Sequence, residues 1–143
     1  MDIGTNLANV NWLAVMVAAT LGFVLGGCWY SPALFGRFLP GLMSEFRAGG
    51  DLPQGPARYL AGIFTLSFAL LWFAAAFLAG LIGPGATARE GIYIGLAIGL
   101  FFVLPAHSVA AVFGARPLQI LFINAAYFAV CLATMGGVLA VWG

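Results

Sequence analysis

Charge is what this chain has least of. Only 6% of its 143 residues are Asp, Glu, Lys or Arg, and all five basic residues are Arg. Residues 3–36, 59–88, 91–115 and 117–143 hold no formal charge at all, and together they make up 116 of the 143 positions. With a net charge of +1 and no basic patch, nucleic-acid binding is excluded. At 64% apolar residues, so are a disordered chain and a water-soluble globule. Cysteine is scarce as well. Cys28 and Cys131 sit at different depths of different apolar runs, so neither a disulfide nor a two-cysteine metal site is expected. No Asp or Glu falls deep inside a run, which removes the usual groups of a carboxylate-based cation pump. Paired carboxylates, a spaced Ser–His–Asp set and a phosphate-binding Gly loop are all missing, so an enzyme is not expected and no cofactor is called for.

What is present is length. A helix needs roughly 20 apolar residues at ~1.5 Å each to cross a ~30 Å hydrocarbon core, and each of the four uncharged runs exceeds that. Stretches such as Phe68–Leu81 and Leu96–Leu104 are apolar on every face. They lack the alternation of a barrel strand. The expected fold is an all-α membrane protein: a single domain over 1–143, a four-helix bundle with helices at about 10–30, 59–82, 91–113 and 118–141. The first run lacks a basic leader and a small-residue cleavage site, so it reads as a spanning helix rather than a signal peptide.

Arg37, Arg47 and Arg58 fall between the first two helices, Arg89 between the second and third, and Arg116 between the third and fourth. Placing the first and third loops inside the cytoplasm puts four Arg inside and one outside. The positive-inside rule therefore predicts a multi-pass protein of the inner membrane with both termini outside. The connector 31–58 holds Leu34, Phe35, Phe38, Leu39, Leu42, Met43 and Phe46 at helical spacing, then a Gly/Pro-rich turn over 49–56. Its first half is expected to lie as an amphipathic segment on the inner leaflet. It serves as a plain connector, or else as a docking surface or lid.

The short turn Gly114-Ala115-Arg116-Pro117 makes the last two helices an antiparallel hairpin. Mirroring about that turn sets His107 opposite Asn124, with Tyr127 one turn deeper and Ser108 adjacent. An intramembrane His is costly and marks a candidate site when a partner can be named. The plainer account is an interhelical His–Asn hydrogen bond; the sharper ones are a proton or small-solute pathway, or metal or haem ligation. Pro105, two residues earlier, frees the carbonyl of Phe101. Small residues form ridges: Gly22 and Gly26 in the first helix, Gly91, Gly95 and Gly99 in the third, and Ala125, Ala129, Ala133 and Gly137 in the fourth. The same mirroring pairs Gly95 with Gly136 and Gly91 with Ala140. Such ridges serve close packing within the chain or a homodimer seam.

Two stretches carry a resemblance. Asn11-Trp12-Leu13-Ala14-Val15, then Gly26, Trp29-Tyr30-Ser31-Pro32 and Leu34-Phe35-Gly36, resemble the N-terminal signature of domain-of-unknown-function family 1761. Arg116-Pro117-Leu118, Leu121-Phe122-Ile123-Asn124-Ala125 with Tyr127, and Met135-Gly136 are similar to its C-terminal signature. The resemblance implies a small, mostly bacterial integral membrane protein, and it supplies no activity. That family often carries an acidic residue and Gly before the Arg; Gly114 and Ala115 stand there in this chain. The motif residues Trp29, Tyr30, Ser31 and Arg116 are expected to cluster at the inner interface. The functional expectation is a non-enzymatic packing, binding or accessory component, with lipid, a second copy or other membrane proteins as partners. The alternative is a small-solute or proton pathway centred on His107, Asn124 and Tyr127.

Overall fold

In the computed structural model, residues 3–31, 34, 55–115 and 118–143 are described. Most of the connector and its amphipathic stretch, with Arg37 and Arg47, lie outside the described residues, as do Arg116 and Pro117. Among the described residues there are helices and short connections, and no strand. A short helix α1 (Ile3–Ala8) precedes α2 (Trp12–Trp29); α3 (Gly55–Ile82) follows. The third span is composite, with α4 (Ala88–Ile98), a π-helix (Gly99–Val103) and α5 (Leu104–Phe113) running on without a break. The last helix is α6 (Leu118–Trp142). Four stretches are long and apolar enough to cross a membrane: Trp12–Trp29, Ala61–Ile82, Ala88–Phe113 and Leu118–Trp142.

Local chemistry sets the ends. Asn11 caps α2, its Oδ1 accepting from the backbone N–H of Leu13 at 3.1 Å and Ala14 at 3.4 Å. Its amide Nδ2 donates to the carbonyl of Trp142 at 3.1 Å, so the start of the first span lies beside the end of the last. Thr87 and Glu90 form a reciprocal capping box at the start of α4. The helix α3 starts at Gly55, four residues before the apolar run does, because Pro56 in a first turn forfeits no hydrogen bond.

The last span is the hub. α2, α3 and α4 all pack against α6, and α4 does so most extensively. Val15, Ala18 and Ala19 of α2, Ala75 and Leu78 of α3, and Cys131 and Met135 of α6 form the buried centre. Ala18, Ala19 and Gly22 on α2 explain the depth of that contact, Gly22 leaving room for Cys131 and Met135.

Between α4 and α6 the approach is closer still. A Cβ on Gly91 would land on the Gly136 carbonyl oxygen, one on Gly95 on the Leu132 carbonyl oxygen, and one on Gly99 2.7 Å from Ala129 Cα. The register differs from simple mirroring about the turn, which sets Gly95 opposite Gly136. Gly95 sits over Leu132 and Ala133, about one turn nearer the loop. The π-helix accounts for about one residue of this shift of four, since it lengthens the third span in residues more than in rise. Beyond it α5 buries none of its residues. In the turn after α5, Ala115 takes a left-handed backbone conformation, φ 50°.

Candidate functional site

Trp29 and Tyr30 of one expected cluster and Asn124 and Tyr127 of the other come together where the end of α2 crosses the first half of α6. Trp29 donates its indole Nε1–H to the Ile123 carbonyl at 3.2 Å, and the Tyr30 hydroxyl donates to Asn124 Oδ1 at 2.6 Å. One turn further along α6, the buried Tyr127 hydroxyl donates to the Gly22 carbonyl at 3.0 Å. Three hydrogen bonds thus tie the two helices over about two turns of α2 and one of α6. Their polar ends are satisfied where lipid could not satisfy them.

Helical spacing brings this about. Asn124 and Tyr127 share one face of α6 at i, i+3, and Cys131 and Met135 continue it. Gly22 and Gly26 share the facing side of α2. A Cβ on Gly26 would fall 2.8 Å from the Tyr127 hydroxyl oxygen, and one on Gly22 would fall 3.0 Å from Cys131 Sγ and 3.1 Å from Met135 Sδ. The two glycines are what admit the large side chains of α6. Rings fill the rest: Tyr127 lies 6.4 Å from Trp29, 5.4 Å from Tyr30 and 5.0 Å from Phe128, centroid to centroid.

Other residues singled out by sequence sit differently. His107, half-buried on α5, stacks on Phe128 at 5.1 Å and 24°. The Asn124 carbonyl oxygen expected to meet it is taken by Tyr30, and Phe128 stands between the imidazole and Tyr127. Ser108 and Ser31 both bond within their own segments, to the carbonyls of Leu104 at 2.8 Å and Cys28 at 2.7 Å. Cys131 is buried beside Met135, with 3.5 Å between the sulfurs, while Cys28 is exposed. Among the described residues no three His, Cys, Asp or Glu side chains come together as a metal-ligand group. An open apolar groove of about 780 Å³ lies elsewhere, between Val17 and Leu21 of α2, Ile92 of α4, and Thr134, Val138 and Trp142 of α6.

The link from α2 to α6 was not foreseeable from hydropathy. A short turn declares its two helices neighbours, whereas a contact between the first and last spans leaves no local trace. Trp29 and Tyr30 at one helix end, and Asn124 with Tyr127 near another, were the available signal.

Four long apolar helices with an internally bonded aromatic–amide cluster define a helical integral membrane protein. Residues 13–140 match the family described as Protein of unknown function (DUF1761), and the chain belongs to that family. No curated protein and no solved structure matches it. Residues of both signatures, Trp29 and Tyr30 from one and Asn124 and Tyr127 from the other, meet in the cluster.

Proposed function

We propose that this chain is a non-enzymatic component of the inner membrane that acts by packing and binding. The cluster serves as the clasp that holds its first and last spans together. The observation that carries the proposal is the fate of the polar groups: the Trp29, Tyr30 and Tyr127 donors and the Asn124 acceptor are spent on helix-to-helix bonds. A reactive or conducting centre would keep such groups free to meet a solute. The glycine ridge of α4 against α6 supports the same reading, since the approach leaves no room for any side chain. Within this proposal the four spans form one bundle, the Arg-rich connector hugs the inner leaflet, and both termini face away from the cytoplasm. The outer faces then meet lipid, a second copy, or neighbouring membrane proteins.

The test is proton and small-solute flux in proteoliposomes carrying the wild-type protein or His107→Gln. Flux equal to that of protein-free vesicles in both is the expected result. Flux that the wild type supports and His107→Gln abolishes would replace the clasp with a pathway.

A further inference from the structure

The two halves of the third span are held very differently. α4 is pinned, its Gly91 and Gly95 lying on the backbone of α6, and Gly99 at the start of the π-helix lies there too. α5 buries no residue, and Val112 and Phe113 are 75% and 88% exposed. The change falls at Gly99–Val103, where the helix widens to π geometry and the Leu104 N–H reaches back to the Gly99 carbonyl. Pro105 follows two residues later. It has no N–H to offer the Phe101 carbonyl, and its ring would crowd that carbonyl in a regular helix. A π turn and a proline, which here stand at one level, are each a recognised cause of helix bending.

What ring contact α5 makes with the last span, among the described residues, is the stack of His107 on Phe128. Phe128 in turn lies against Tyr127, the most buried ring of the clasp. Ser108, beside His107, bonds only within its own helix. We propose that α5 is a hinged lid over the α2–α6 clasp, pivoting beyond Gly99 at Leu100–Val103 and latched by His107 on Phe128. Closed, it covers the Phe128–Tyr127 edge of the clasp. Open, it exposes that edge while α4 stays in place. The inference stands on the geometry of the third span and does not rest on the clasp being the protein's function.

The experiment is a pair of spin-label distances in nanodiscs of phosphatidylcholine and phosphatidylglycerol, with Cys28→Ser removing the exposed thiol. Val112→Cys with Leu66→Cys reports on α5, and Tyr93→Cys with Leu70→Cys reports on α4. All four positions are exposed. The expected result is one narrow distance for the α4 pair and two populations for the α5 pair. Phe128→Ala should raise the open-to-closed ratio about two- to twelve-fold, the range one aromatic pair supports. His107→Phe, which keeps a ring at the latch, should leave the ratio near wild type. The α4 pair, read in every variant, shows that the fold is kept. A single narrow α5 distance unmoved by Phe128→Ala overturns the proposal. So does equal broadening of both pairs, because α4 would then be no fixed base.

Discussion

Tyr127 bears more of this structure than any other polar residue. Its hydroxyl reaches the Gly22 carbonyl, its ring meets three other rings, and Gly26 is bare where a methyl group would strike it. A polar group buried at this depth costs several kcal/mol if unpaired, so partner and space must be provided together. His107 shows the opposite economy, presenting its ring face to Phe128 with no hydrogen bond among the described residues. One residue is plainly out of place: Ala115 holds φ 50°, where a Cβ crowds the following carbonyl. Glycine removes that crowding, although it loosens the unfolded chain. Ala115→Gly should therefore raise the unfolding free energy in bicelles by about 0.5–1 kcal/mol. An unchanged or lowered value would mean that the turn is not strained.

Helices were the most legible part of the sequence, because an uncharged run of 25 residues or more has few other fates. The third span starts at Ala88 rather than at about 91, because the capping box of Thr87 and Glu90 carries the helix past the charged pair Arg89 and Glu90 that bounds the apolar run. The π-helix was not readable. Pro105 announces some disturbance but not its form, and the π turn accounts for only about one residue of the four by which the α4–α6 register departs from mirroring. The pairing of Asn124 was missed for a related reason. Mirroring assumes straight, evenly spaced helices, and α5 touches α6 far less extensively than α4 does. The short α1 had no hydropathy signal of its own. At this scale the glycines divide sharply by what surrounds them. Gly95→Ala would drive a methyl group into the Leu132 backbone, and should cost about 3 kcal/mol or more, or prevent folding. Gly27→Ala, on the first span with nothing within 4 Å, should cost nothing and gain up to ~1 kcal/mol. Thermal unfolding of the two variants in one detergent separates them; equal effects would contradict the close approach of α4 and α6.

Across the whole molecule, stability converges on the last span. It is the partner of α2, α3 and α4, and it carries the buried Cys131, Met135 and Tyr127. Lipid supplies no hydrophobic drive between helices, so this convergence must come from close packing and from hydrogen bonds that have no other partner. The groove between α2, α4 and α6 lies apart from the clasp, and the lid on α5 lies over it. Holding, covering and facing lipid are thereby given to different parts of a small chain. The claim on which the account depends is that Tyr30 and Asn124 hold α2 to α6. A double-mutant cycle with Tyr30→Phe and Asn124→Leu, read as unfolding free energy in bicelles, measures this directly. The predicted coupling is about 0.6–1.7 kcal/mol, the range for interhelical hydrogen bonds in membranes. Strict additivity of the two substitutions would contradict it and remove the clasp.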